Sequence, residues 1–425
     1  MFIARSVARI RRARLLFVVI GLAPTVALVA WAVHRRSETY RAQVQARWQE
    51  AIGLPIVVGR IEHPRPGVTR VHDCVLPTAA GRPAVELPVV EVESSADEDR
   101  IRIPRLDCDA GTAAIAFDLA GRWLVDDIRF RRACVVEIGG FSWGDAMPHE
   151  PDQPNASHAS LRVECVKHDA SRAIRIVRRD SPGDEVRIVR HPHDRAGAST
   201  TYDVDATITT PIPVAILASL AGSHSAGLAS AGPHATLTGS LLASCAADGW
   251  KGEARGRING IDLAAASAAV GDRASGTADV DISRVNVTGG RVCDALAEVN
   301  VSHGHVDRRL FDRIVLALGA RPGAAAARLP PTEPLPFDNA ACIIAIGPHG
   351  VQVQATPRVP GGIATTRGEV LLAAPTVPVT ADRIAWLLSS PGTTFGPTAG
   401  PGAWLMSVLP TLAPQTAPTD GDRRF

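Results

Sequence analysis

The longest uninterrupted apolar run comes first: Leu15 to Val33 holds nineteen residues without a charge. As a helix rising about 1.5 Å per residue, it spans about 28 Å, close to the hydrocarbon thickness of a bilayer. Arg5, Arg9, Arg11, Arg12 and Arg14 precede it with no acidic residue among them. The positive-inside rule then makes 1–14 a cytoplasmic arm and 15–33 a transmembrane helix, with everything beyond on the far side. Trp31 is placed as an interfacial anchor. A cleaved signal peptide is the competing reading, since Ala30-Trp31-Ala32 resembles a cleavage site. The apolar run is longer than the 7–15 residues usual for such a peptide, which favours an uncleaved anchor.

Ser37 can cap a helix over 37–53, in which Tyr40, Val44, Trp48 and Ile52 form one stripe until Gly53 and Pro55 stop it. This helix packs on the end of the following sheet or lies on the membrane surface. Beyond Pro55 the apolar period becomes two. Phe130, Arg132, Cys134, Val136 and Ile138 alternate with more polar neighbours, as do Val351 and Val353. Three further runs, Val204, Ala206 and Ile208, then Ala235, Leu237 and Leu241, then Val280 and Ile282, alternate with Asp, Thr and Ser. Such strands have one apolar and one polar face, the mark of an antiparallel sheet solvated on one side. The alternation changes phase between Ile282 and Val285 and between Val89 and Val90, where a bulge would re-aim the strand.

The pattern predicts roughly sixteen strands. It predicts few helices: Pro211 or Pro213 to Leu220, Asp262 to Val270, Arg309 to Leu318, and Ala381 to Leu388 capped by Thr380. Pro-rich breaks at 149–154 and 328–336 divide the body into 54–148, 161–319 and a β/α segment over 338–391. Residues 392–425 form a Pro, Gly and Thr rich tail, mostly disordered outside the Trp404 region.

Composition removes several functions. The chain has 45 basic and 43 acidic residues, so no net field draws it to nucleic acid. Only Lys167 and Lys251 are lysine, neither follows glycine, and a P-loop is therefore absent. The arginine bias, with abundant Ala, Gly and Pro, points to a GC-rich bacterial genome. Seven cysteines without any Cys-x-x-Cys make a zinc site unlikely on spacing and read as small buried hydrophobes, with one or two disulfides open to them in an oxidising compartment.

Candidate catalytic and metal-ligating residues are weak. Gly140-Phe141-Ser142-Trp143-Gly144 matches the nucleophile elbow, but Pro148 stands where the helix behind the serine should run. His191 with His193 and His303 with His305 each offer two imidazoles without an assured third ligand. Gly252, Gly256 and Gly260 do not make a dinucleotide fingerprint, and Asp97-Glu98-Asp99 reads as a turn. No catalytic, cofactor or metal site is expected.

The order of these segments is informative. A basic arm and membrane helix lead to Ile52-Gly53-Leu54-Pro55, to the strand Ile56–Ile61, and to Pro66–Leu76. Trp123 to Phe130 and Gly256 to Leu263 follow as further strand-like units, and then Leu310 to Leu318. Over about a third of its length the chain resembles the AsmA-like family, which includes the TamB-type envelope proteins. The body is short for that family, and 320–425 matches nothing in it. The resemblance implies a bacterial inner-membrane anchor carrying a long curved β-groove in the periplasm, which moves or organises envelope lipids without catalytic residues. Val204, Ala206, Ile208, Ala235, Leu237, Leu241, Val280 and Ile282 are the groove-lining candidates. The alternative is an anchored interaction module whose β core is closed. Expected partners are the membrane and lipids, with no nucleic acid and no cofactor.

Overall fold

The computed structural model describes residues 7–77, 84–125, 133–143, 159–168, 171–192, 200–220, 226–330, 333–389 and 400–409. Phe130, Arg132, Gly144, His193, the break at 149–154 and most of the tail lie outside them. Strand accounts for 49% and helix for 29%, so the protein is mainly β, as the alternation predicts.

Helix α1 (Val7–Phe17), a π-helical turn (Val18–Leu22) and α2 (Ala23–Arg35) run on continuously. Within them Arg11–Arg35 is long and apolar enough to cross a membrane, and none of it is buried by the rest of the chain. The π turn sits just before Pro24, where the Ala23 N–H reaches back to the carbonyl of Val18. Widening the helix there accommodates a residue that lacks an N–H. Helix α3 (Glu38–Ile52) forms as the sequence requires: Ser37 Oγ accepts from the Tyr40 N–H, and Gly53 closes the end at φ 72°.

Strands β1 (Ile61–Arg65), β2 (Val68–Leu76), β3 (Val85–Ser94) and β4 (Glu98–Asp107) follow as antiparallel neighbours. Helix α4 (Ala110–Val125) then crosses over to β5 (Ala133–Ser142), which pairs parallel to β4. Trp123 to Val125 therefore end a helix, where the sequence reading had placed a strand. Asp109 caps α4 by accepting from the Thr112 N–H at 2.7 Å. Next come β6 (Ala159–His168), β7 (Ser171–Arg178), β8 (Glu185–His191) and β9 (Thr201–Pro213), then α5 (Val214–Leu220) and α6 (Ala226–Ala229). Strands β10 (Thr236–Ala246) and β11 (Gly249–Asp262) lead into α7 (Leu263–Ala268), whose cap Asp262 accepts from the Ala264 N–H.

The remainder is β12 (Ala274–Ser275), β13 (Thr277–Thr288), β14 (Arg291–Val301), β15 (Gly304–Val306), α8 (Arg308–Leu318), β16 (Arg321–Pro322) and α9 (Ala324–Arg328). It ends with β17 (Leu335–Phe337), β18 (Asn339–Gly347), β19 (Gly350–Ala355), β20 (Ala364–Thr366), β21 (Glu369–Ala373), α10 (Ala381–Leu387) and α11 (Gly400–Val408).

These pairings make one ordered row. Each of β1 to β11 lies beside the next, β13 and β14 continue, and β18 and β19 finish it. Strands β20, β21 and β16 attach at the β18 end, and β12, β15 and β17 form a separate small sheet. Because β18 pairs with β14, the break before 338 does not interrupt the sheet. The phase change in β13 is a register shift between Ile282 and Arg284. In β3 the buried residues also change phase, from Leu87 to Val90, but the register with β2 is unbroken. Opposite that point Asp73 adopts φ 53°, which turns the chain without adding a residue.

Candidate functional site

The pairing aligns aliphatic side chains directly opposite one another from strand to strand. Val92, Ile101, Val136, Val163 and Ile176 carry this row across β3 to β7. Val186, Ala206, Leu241 and Ala254 take it across β8 to β11. Val285, Ala295, Ile346 and Val351 complete it to β19. Thirteen strands at about 4.8 Å give a row about 58 Å long.

The opposite face is ionic. Arg70, Glu91, Arg102, Glu137 and Arg162 stand in register on consecutive strands, alternating in sign. Arg102 and Arg162 both reach Glu137, at 3.3 and 3.5 Å, and Arg175 bridges Glu164 and Glu185. Burial alone would raise the Glu137 carboxyl, but hydrogen bonds from Arg179 and Arg102 outweigh it and hold it below the usual range. Over β2 to β8 one face of the sheet is thus built for water and the other against it; on β10 the exposed Leu242 interrupts the polar face.

Cover over the apolar face is uneven. Next to α2, α3 packs Trp48 and Ile52 against Ile56, Val58, Val71 and Val90. Helix α4 sets Trp123 and Leu124 on Ile174, with Val163 and Ile188 beside it. Arg172 and Arg190, from the same face of β7 and β8, donate to the carbonyls of Trp123 and Leu124 at 2.9 Å, capping the helix C-terminus. At the other end α8, α9, α10 and α11 pack against β14 and β18 to β21.

Between these covers lie most of the residues proposed from sequence. Ala206 pairs with Leu241, and Val280 stands two strands from Leu237 with Ile258 between them. Val204, Ile208, Val280 and Ile282 are half-buried, Leu241 keeps 39% exposure, Ala206 is buried, and Leu237 packs with Ile258 against Val214 and Ala231. Ala235 differs: it is fully buried with Val214 and Ala231 beneath α5, and its carbonyl accepts from the Val214 N–H.

Ile208 and Ile282 face one another across the paired glycines Gly239 and Gly256, so no side chain stands between them. A Cβ on Gly256 would lie 2.4 Å from the Thr238 carbonyl. The two backbones are therefore too close there for any other residue. The sequence showed these glycines only as a spacing and gave no sign of this role.

The bare face leads into a cavity of about 590 Å3 between β14, β18 and β19 on one side and α7, α8 and α10 on the other. Val299, Ile344 and Val353 belong to the sheet's apolar face, and Leu310, Ile314 and Ile384 come from the helices. Among its lining residues only Ser267 and Cys342 carry a polar side-chain atom. The Cys342 thiol is pushed up to about 11 by burial, with Glu298 adding to the shift, and stays neutral. Water gains little there, because it needs several polar partners.

The other candidates do not assemble. Ser142 Oγ donates to the carboxylate of Asp107, which also accepts from Arg105, so a carboxylate receives its proton. His191 Nε2 contacts Asp203 at 2.9 Å, and His303 and His305 are exposed. Among the described residues no group of three or more His, Cys, Asp or Glu could hold a metal.

The fold and this face together define a mainly β protein with one membrane-length apolar helix and one amphipathic sheet. No family model, curated protein or solved structure matches the chain.

Proposed function

We propose that this is a membrane-anchored β-groove protein that handles lipids outside the cytoplasm, and that it is not an enzyme. The observation that carries the reading is the aliphatic row across thirteen strands, which comes to the surface at Leu241 of β10. Each methylene moved from water onto such a face gains about 0.8 kcal/mol. Arg11–Arg35 supplies the anchor, and the basic residues before it orient the body away from the cytoplasm, the periplasm of a bacterium. The resemblance of the chain's order to AsmA-like proteins agrees with this reading.

The test is photocrosslinking in vesicles of phosphatidylethanolamine and phosphatidylglycerol. A photoreactive residue at Leu241 or Ile282 should capture lipid, and one at the ionic Glu137 should not. Equal capture at all three positions, or none at any, would exclude a lipid path on this face.

A further inference from the structure

We propose that the groove does not run through the molecule but ends in the cavity between β14, β18, β19 and helices α7, α8 and α10, which holds a single hydrocarbon chain of a membrane lipid. The proposal rests on the lipid-handling reading and adds where the path stops and what occupies its end.

Continuity is the first support. Val280, half-exposed on the bare face, pairs directly with Val299 in the cavity wall, and Val299 pairs with Cys342, also in the wall. Moving from β13 to β18, a chain therefore remains on aliphatic side chains throughout. The wall is the second. Leu310 and Ile314 of α8 and Ile384 of α10 line the space with Ile344 and Val353, and Val306 and Phe337 from the small sheet contribute to it.

The chemistry of the wall selects the occupant. A peptide would bring backbone N–H and C=O groups that must find partners when buried. The wall's one hydroxyl is already used: Ser267 Oγ accepts from the Ala274 N–H at 2.9 Å and donates to the Ala264 carbonyl at 3.3 Å. The Cys342 thiol is a weak donor in apolar surroundings. Neither a peptide nor a sugar could satisfy its polar groups here, whereas a hydrocarbon chain has none. Within one chain that also carries a membrane-length helix, the bilayer's acyl chains are the source. A headgroup could not follow into this space, so it would remain over the bare face near Val280.

The experiment uses the full chain in vesicles of phosphatidylethanolamine and phosphatidylglycerol carrying a labelled acyl chain, with photoreactive residues at Ile344 in the cavity and Leu241 on the bare face. Both positions should crosslink. Filling the cavity with Ala266→Trp, or independently with Val299→Phe, should lower the Ile344 crosslink while leaving that at Leu241 unchanged. Loss of only two buried methylenes is on the order of a tenfold fall in occupancy. In the parent protein palmitic acid should compete the Ile344 crosslink, a measurement that does not depend on either variant folding. Crosslinking at Leu241 but never at Ile344 would overturn the proposal and leave the groove reading standing. An Ile344 crosslink indifferent to the filled cavity or to palmitic acid would overturn it too. Absence of crosslinks at both positions would defeat the groove reading itself.

Discussion

Introducing a charge at two points on the same sheet separates an open face from a closed core. Val71 is fully buried beneath α3, among Ile56, Val58 and Val90. Val71→Asp therefore places an unpaired carboxylate in an aliphatic interior. The cost is several kcal/mol, a large part of the 5–15 kcal/mol that holds a domain together. Leu241 keeps 39% of its surface exposed, so the carboxylate of Leu241→Asp retains its water. It forfeits only the part of the side chain that is covered, about 1–2 kcal/mol of the 1.5–3 kcal/mol that a fully buried leucine contributes. Thermal melting of the two variants in one detergent should show a shift of a few degrees for Leu241→Asp and loss of the cooperative transition for Val71→Asp. Lipid capture at Ile282 should fall in Leu241→Asp although the protein is folded. If Leu241→Asp unfolds the protein as thoroughly as Val71→Asp, the face over β9 to β13 is a closed core and the reasoning fails.

Arg313 donates to Asp272 and to the carbonyls of Trp386, Leu387 and Ser389, so it ties α8 to the end of α10. Arg313→Leu should cost about 3–5 kcal/mol in denaturant melts, and adding Asp272→Leu should restore part of it, because the buried charge is then gone. Asp184 accepts from the N–H groups of Thr209 and Thr210 and from the Thr209 hydroxyl. Although burial opposes it, these bonds lower its carboxyl from 3.8 to about 2. The stability it adds, about 2 kcal/mol, is complete above pH 4 and lost as pH falls toward 2, and Asp184→Asn should flatten that acid limb of a stability titration. Cys134 and Cys165 are direct cross-strand partners, 31 residues apart in sequence. Both are free thiols in this structure; protein recovered from an oxidising compartment should join them in a disulfide seen by mass spectrometry, worth roughly 4 kcal/mol, and oxidation that leaves both thiols free would refute the pairing. Ser142→Ala should leave lipid capture and abundance unchanged, and loss of capture with normal folding would restore the hydrolase reading.

Period-two alternation made the β class legible, and caps made the helices legible. Ser37, Gly53 and Asp262 are found at the helix ends the sequence assigned them. The bulge at Ile282 was readable too, because a register shift moves apolar residues from odd to even positions. Helix α4 was not readable. Its Ala-rich start favours a helix, but the β-prone Trp123-Leu124-Val125 at its end resembles a strand, and that end is held by Arg172 and Arg190 from strands far along the chain. The parallel pair β4–β5 follows from that crossover and was equally hidden. The cavity was beyond reach for the same reason: α7, β14, β18 and α10 supply its wall from segments more than 100 residues apart. Alternation also cannot say whether an apolar face is covered, since Val71 and Leu241 obey one rule and meet opposite surroundings.

What distinguishes the groove from a closed module is therefore where the helices are placed. A single-layer sheet with one aliphatic face must cover it or leave it for something else. Helix α3 covers the β1 end, α4 the strands around Ile174, and α8 to α11 the far end. Among the described residues Ala206, Leu241, Ala254 and Val285 belong to none of the packed clusters; Ala206 is itself buried, and Leu241 remains exposed. Between Ile208 and Ile282 the chain places Gly239 opposite Gly256, where the backbones lie too close for a side chain. Glycines in a strand weaken it and admit a close neighbour. The notch they leave lies between two isoleucines on the apolar face. The ionic ladder on the other face repels the same ligand, so a lipid meeting this sheet has one favourable side, and that side leads toward the cavity.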